Sequence, residues 1–373
     1  MKKFWIVLLA LGLVAAFAMS ASAADVKFSG SYYLAGIYAD NNSLTQEETR
    51  ATSAQALFYQ RLRIQTEFKV AEGLSLVTRF DALEKKWGQG TAFTAWRASN
   101  SYDVTNRSSQ GFLGNKAQEN IEFERAYLDF TTKIGRFNIG YQNFVAWGTM
   151  FLDTHITRPG IKYFVPAGPV TIGAAIEKIV DRNTGAGAMA AGDKDIYDIF
   201  AIYKFTAGEA GLLYQYNADN TSRSTLATSY STKLSAIVPY AKMKFGPVYV
   251  EAEAIYGFGD LRKYEVAGNN DISAEALALY IHGKAAFGAA YVGGMFIYMR
   301  GDDWGTTDKV EGSLAAGLLA GDAFNPCLML WNGEYTTWVG NFGGNANGNN
   351  PVTGGFNNIS TYMDNVWFYQ LYA

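Results

Sequence analysis

Several kinds of residue and segment are scarce in this chain of 373 residues. It has one cysteine, two histidines and seven prolines. A lone cysteine, Cys327, excludes a disulfide within the chain and any metal site built only from cysteines. After residue 23 no stretch approaches the roughly twenty apolar residues that a spanning helix needs. With a net charge of −3 and no basic run, the chain is a poor candidate for nucleic-acid binding.

The residue patterns of enzymes are also missing. His155 and His282 lie far apart in unrelated contexts, and neither has a serine beside it in the sequence, as a Ser-His hydrolase pair would need. Glycine motifs that cradle phosphate and paired histidines that bind metal are absent. The sequence therefore predicts a protein without catalytic activity, cofactor or metal.

The first residues form an export signal. Lys2 and Lys3 precede an uninterrupted apolar stretch over 4–19, and an A-x-A cleavage site follows at 21–23. The alternative, a single membrane anchor, lacks a basic stop-transfer flank. We therefore predict a signal peptide at 1–23 and one mature domain at 24–373. Cleavage leaves 29 Lys and Arg against 34 Asp and Glu.

Strand-like alternation is clearest over residues 58–70. One set of alternate residues is mostly apolar, and the other carries Arg61, Arg63, Glu67 and Lys69. Successive side chains of a strand point to opposite faces, so one face is apolar and the other charged. This pattern fits a soluble sheet, and it equally fits a membrane barrel with lipid outside and water inside.

The lengths of the connections favour the barrel. From residue 26 we count about fourteen strands of ten or more residues, joined alternately by short and long links. The short links are expected at 71–73, 131–135, 166–169, 206–209, 246–247 and 288–289. The long links are expected near 41–53, 86–118, 148–160, 182–194, 218–231, 259–273 and 301–362. Short turns on one side and long loops on the other are typical of outer-membrane barrels, whereas a sandwich mixes loop lengths.

Two further patterns bear on the barrel. A phenylalanine lies just before each short link, which predicts an aromatic girdle at one membrane interface. The six are Phe68, Phe130, Phe164, Phe205, Phe245 and Phe287.

Pro239 falls inside a strand, where we expect a local bulge. The predicted fold class is thus an all-β transmembrane antiparallel β-barrel.

The charged members of the inward faces are the candidate functional residues. Charges of both signs on a channel wall produce a transverse field that favours polar solutes, although some of these side chains could simply pair and stiffen the wall. The pore-lining candidates are Arg61, Arg63, Glu67, Arg79, Asp81, Arg125, Asp129, Arg136, Glu251, Glu253 and Lys284. Inward tyrosines could stack on sugars or merely fill volume; these are Tyr59, Tyr127, Tyr249 and Tyr280.

Several segments resemble known proteins. Residues 135–142 (GRFNIGYQ) and 158–166 (RPGIKYFVP) resemble the fifth and sixth strands of Gram-negative general porins. The run QRLR at 60–63, RFD at 79–81 and WG at 87–88 resemble porins of sulfate- and metal-reducing bacteria.

This resemblance implies a water-filled channel in the outer membrane. It further implies a homotrimer in contact with lipid and lipopolysaccharide, and an inward-folded loop after strand five. By position that loop is 148–160, with Asp153, His155 and Arg158 as possible constriction residues. It is shorter than is usual in the family, so the 86–118 or 301–362 loop could constrict the pore instead. The family has sixteen or eighteen strands, so we expect the last hairpin or two to be missing after Ala373.

Passive diffusion of small hydrophilic solutes and ions is the function that these patterns predict best. The alternative within transport is a channel selective for sugars or anionic polymers. The alternative from another class is a non-conducting barrel that displays its loops as an adhesin or structural protein.

Overall fold

Strands dominate the part of the chain that the structure describes. The computed structural model describes residues 25–40, 54–87, 121–144, 146–153, 156–182, 192–224, 228–303, 305–312, 324–327 and 365–373. The strands in these ranges are β1 (Asp25–Asp40), β2 (Ala54–Ala71), β3 (Leu74–Lys86), β4 (Glu122–Thr132), β5 (Gly135–Phe144), β6 (Ile156–Ala167), β7 (Val170–Val180), β8 (Lys194–Phe205), β9 (Gly208–Asp219), β10 (Tyr230–Phe245), β11 (Val248–Tyr264), β12 (Ile272–Phe287), β13 (Ala290–Met299), β14 (Lys309–Val310) and β15 (Val366–Tyr372). No helical segment among the described residues has the length and apolarity that a membrane crossing requires.

The strands form one sheet in chain order. Each strand from β1 to β12 pairs antiparallel with the next, β15 pairs antiparallel with β13, and the two-residue β14 pairs parallel with β12. Two-residue turns join β2 to β3, β4 to β5 and each later hairpin on that side, as the sequence predicted. Gly246 and Gly288 have positive φ in two of these turns, a conformation that glycine adopts without a steric cost.

The sheet is strongly curved. Thr149 bonds to Glu253 on β11, which lies six strand positions from β5. In a flat sheet six spacings of about 4.8 Å would separate those strands by roughly 29 Å. Only four residues lie between Phe144, the end of β5, and Thr149, and the five residue steps span at most about 18 Å. The sheet must therefore curve around this segment, so its concave face is an interior.

Alternation divides the residues between the two faces. On β12, Ala276, Ala278 and Tyr280 are buried on the concave face, while Ile281 is exposed on the convex face. The convex face carries exposed apolar side chains along most strands, among them Phe28, Phe58, Leu128, Ile161, Ile176, Ile199, Leu212, Ile237, Tyr256 and Ile281. An apolar surface of this extent on one face of a sheet is typical of a β-sheet protein whose outer face contacts lipid.

Apolar packing lies inside the curve rather than between two layers. Segment 146–153, which follows β5, places Trp147, Phe151 and Leu152 against the concave face of β9–β13. Phe151 stacks on Tyr280 with ring centroids 5.2 Å apart, and Phe324 packs edge-on against both rings. The sheet thus encloses a segment of its own chain.

Two local predictions were wrong. Pro239 shows no register shift and pairs in sequence with Leu212 of β9, while the β10 irregularity lies between Ser231 and Lys233. The β10–β11 ladder instead lacks partners at Val238 and Pro239, which accommodates a residue without an N–H. Phe164 points to the concave face and packs against Phe200. Its neighbour Tyr163 takes the convex position beside Phe137.

Candidate functional site: the concave face

An arginine–carboxylate cluster covers the concave face of β2, β3 and β4. Arg63 donates from Nε to Asp81 Oδ1 at 2.7 Å and from Nη2 to Asp81 Oδ2 at 2.6 Å, a fork geometry that fixes both groups. The same Nη2 reaches Glu124 Oε1 at 2.9 Å, and Arg79 binds the other oxygen of Glu124. Arg61 lies 3.5 Å from Glu84. Asp81 is 2% exposed, whereas the Arg63 side chain keeps 24% exposure.

Two of these carboxylates, Glu84 and Glu124, were missed because strict alternation assigns them to the lipid face. A register shift in the β3–β4 pairing, where Arg79 opposes Arg125 and Phe80 opposes Phe123, turns Glu124 inward beside Arg125. A second shift, in β2–β3, lies opposite Leu83, whose φ is +54°, and Glu84 follows it. In the sequence, each bulge is indicated by a charged residue at a position that strict alternation assigns to the lipid face.

Other predicted pore-lining residues are paired near the short turns. Arg136 donates from Nε to Asp129 Oδ1 at 2.8 Å, a diagonal contact between β4 and β5. Glu67 lies 3.6 Å from Lys27 at an exposed site. Lys284 places its ammonium 4.2 Å from the centre of the Tyr291 ring. Arg125 is the exception, since its Nε is buried and has no hydrogen-bond partner among the described residues.

A second charged group lies on β6, β7 and β8. Arg158 donates to Glu177 at 2.7 Å, and the Glu177 side chain is fully buried. Arg158 was expected in a constriction loop but lies within β6, because that strand begins at residue 156. Lys162 donates to the Asn143 carbonyl, and Asp198 accepts from Gln215 at 3.0 Å. None of Glu177, Lys162 and Asp198 was predicted, since their strands are otherwise mostly apolar.

Glu253 binds the segment that follows β5. Thr149 donates its backbone N–H and its hydroxyl to Glu253 Oε2, at 2.7 and 2.6 Å. The Lys242 ammonium donates to the Gly148 carbonyl at 2.7 Å, and Trp147 Nε1 donates to the Val238 carbonyl at 3.0 Å. Three separate contacts therefore hold segment 146–153 against β10 and β11.

Gly148 is required at the centre of this attachment. Its φ is +62°, and a Cβ there would lie 2.7 Å from Glu253 Oε2. Asp153 lies at the end of segment 146–153, while His155 lies outside the described residues. This segment folds inward, and β6 begins at residue 156, inside the expected 148–160 loop. That the loop constricts the pore stays a prediction.

Glu251 organises a group of rings near the end of the sheet. Its carboxylate accepts from Tyr280 and from Tyr249, each at 2.7 Å, and lies 3.2 Å from His282 Nδ1. His282 Nε2 lies 2.6 Å from the Tyr372 hydroxyl. Tyr280 is 2% exposed beneath Phe151 and Phe324, so it offers no open ring face for a sugar. Within the described residues no three His, Cys, Asp or Glu side chains group as a metal site.

A family model decides the identity. The model for Gram-negative porins matches residues 8–323, most of the chain. The chain belongs to the Gram-negative porin family. As a porin it is an antiparallel β-barrel channel protein of the outer membrane. The narrower likeness to porins of sulfate- and metal-reducing bacteria stays a prediction.

Solved porin structures resemble the chain at low identity. The outer membrane channel DcaP of Acinetobacter baumannii is 14% identical, with 75% of this chain and 80% of that chain covered and a TM-score of 0.44. A BenF-like porin from Pseudomonas fluorescens is also 14% identical, with 81% and 74% covered and a TM-score of 0.44. No curated protein sequence matches the chain.

Proposed function

We propose that this porin is a passive channel for small hydrophilic solutes and ions. One observation carries the proposal: the concave face of β2–β4 combines arginines and carboxylates that stay partly exposed. Arg61, Glu84 and Glu124 keep between a quarter and a third of their side-chain surface. Charged groups at this exposure favour polar solutes and disfavour apolar ones.

The position of segment 146–153 supports a narrow pore. It packs on β9–β13, and no described residue of the charged wall of β2–β4 belongs to the apolar cluster around it. The two sides differ in exposure: the paired arginines of β2–β4, with Glu84 and Glu124, stay partly exposed, whereas Glu251 and Glu253 on β11 are 8% and 3% exposed. A path along the β2–β4 wall would bring a solute close to charges of both signs.

The proposal includes a homotrimer in contact with lipopolysaccharide. Family membership supports it, as does the apolar convex surface, part of which a neighbouring copy could cover. Chemical cross-linking in native outer membranes would test it: a trimer band supports the assembly, and monomers alone contradict it.

A bilayer experiment tests conduction. The full protein is refolded, inserted into a planar bilayer, and its single-channel conductance and reversal potential are measured in a salt gradient. Stepwise openings are expected. Replacing both Arg61 and Arg63 with Ala should change the conductance and shift selectivity toward cations, because two positive charges leave the wall.

The matched control is Arg223→Ala, which removes an arginine that pairs with Glu265 outside the strands. It should leave conductance and selectivity unchanged. Absence of openings in the wild-type protein would overturn the channel proposal and favour the adhesin alternative. Unchanged currents in the double variant would show that Arg61 and Arg63 do not line the path.

A further inference from the structure

A cavity of about 130 Å³ lies between segment 146–153 and the concave face of β6–β10. Its roof comprises Phe144, Ala146, Trp147 and Leu152. An apolar cavity of about 150 Å³ holds a benzene molecule in another protein. The space beneath this roof is therefore close to the size of one six-membered aromatic ring.

The floor consists of two rows of side chains that the strand register places next to each other. Cross-strand pairing aligns one apolar row of Phe164, Gly173, Phe200, Leu213 and Val238. It aligns a second row of Lys162, Ala175, Asp198, Gln215 and Ala236. The rows are two residues apart along each strand, or about 7 Å.

Small residues on β7 make the hollow. Gly173 and Ala175 are the β7 members of the two rows, and a Cβ on Gly173 would meet the Phe200 ring at 2.1 Å. Phe200 therefore lies over Gly173, and Ala175 leaves space between the neighbouring longer side chains. An aromatic ring against Phe200 and Trp147 would find the edge and face contacts that such rings prefer.

The second, polar row determines which polar substituent a ligand in the cavity can carry. At Ala175 the flanking strands present Lys162 on one side and Asp198 on the other. A hydroxyl there can accept from the ammonium and donate to the carboxylate at once. A carboxylate ligand would meet the like charge of Asp198, and an ammonium would meet that of Lys162.

We propose that this cavity is a binding site for a monocyclic phenol. The ring occupies the apolar row beneath Trp147, and the hydroxyl lies between Lys162 and Asp198. The site goes beyond conduction, and its test uses folded protein in detergent, so it does not depend on whether the channel opens.

The experiment is saturation-transfer NMR titration of the full refolded protein with four probes: phenol, toluene, benzoate and benzylamine. Phenol should bind most tightly. Asp198→Asn should weaken phenol binding about tenfold, because a hydrogen bond to a charged group is lost, and should leave toluene binding unchanged. Ala175→Val should weaken both probes, because it fills the hollow. Folding of each variant is checked by its heat-modifiable migration on a gel.

Asp195→Asn is the matched control, since Asp195 lies on the same strand but pairs with Lys178 away from the cavity. It should bind phenol as the wild type does. If no probe binds the wild type, or if Asp198→Asn and Asp195→Asn behave alike, the proposal is overturned. Toluene or benzoate binding as tightly as phenol would overturn the assignment of the polar row.

Discussion

Thr149 gives its backbone N–H and its hydroxyl to one oxygen of Glu253, across 104 residues of chain. Glu253 is 3% exposed, so water does not replace these contacts. A residue expected to line the pore is therefore buried and holds segment 146–153 in place.

Replacing Glu253 with Gln should loosen segment 146–153. A hydrogen bond to a charged acceptor is worth about 1.5–3 kcal/mol, and the neutral amide weakens both bonds. We expect noisier single-channel currents with a larger mean conductance. Glu67→Gln is the control, because Glu67 contacts Lys27 instead of the segment. Quiet currents identical to the wild type would contradict the attachment.

Gly148→Ala should lower the thermal unfolding midpoint and disturb the same attachment. The left-handed backbone costs a non-glycine residue about 1–2 kcal/mol, and the new methyl group collides with Glu253. Gly168→Ala is a matched control, since Gly168 has φ +61° but nothing within 4 Å of a Cβ. Heat-modifiable gel migration measures the unfolding midpoint of each variant. If Gly148→Ala and Gly168→Ala lower the midpoint equally, the contact between the new methyl group and Glu253 has no effect.

Arg63→Met should destabilise the protein far more than Arg136→Met. Removing Arg63 leaves the buried Asp81 carboxylate without this ion-pair partner, which should lower the free energy of unfolding by about 3 kcal/mol. Arg136 is 52% exposed, and exposed pairs contribute roughly 0–1 kcal/mol. Urea unfolding in detergent, followed by tryptophan fluorescence, compares the two free energies. Similar losses would mean that Asp81 finds another partner.

Acid should loosen the connection between β11 and β12. A hydrogen bond from Lys263 lowers the pKa of Asp271, as does one from the Tyr264 backbone. With its folded pKa below the unfolded one, Asp271 stabilises the connection above about pH 4, and this contribution is lost as pH falls through the folded pKa. Hydrogen exchange of residues 265–271 should accelerate as the pH falls below about 4, after correction for intrinsic rates. In Asp271→Asn the acceleration should disappear; if it persists, another group is responsible.

Strand positions and turns were readable from the sequence because they depend on local pattern. The short turns fall where they were predicted. Period-two alternation also assigned Arg63, Asp81, Glu251 and Glu253 to one face. It failed at Glu84 and Glu124, because a bulge reverses the alternation and depends on the partner strand as much as on its own residues.

The charged group around Lys162, Glu177 and Asp198 could not be found in the sequence. Each residue lies on a different strand, and only the register across β6, β7 and β8 brings them together. The same holds for the cavity floor, whose two rows draw one residue from each of five strands. Long-range pairing is a property of the folded sheet.

The sequence alone determined the class of this protein: an exported chain of two-faced strands with short turns on one side, because alternation and turn residues act locally. The tertiary structure decided what the interior does. Curvature of the sheet brings segment 146–153 onto β10 and β11, where Glu253 binds it. Which inward charges meet water and which hold the chain together depends on those contacts between residues distant in sequence.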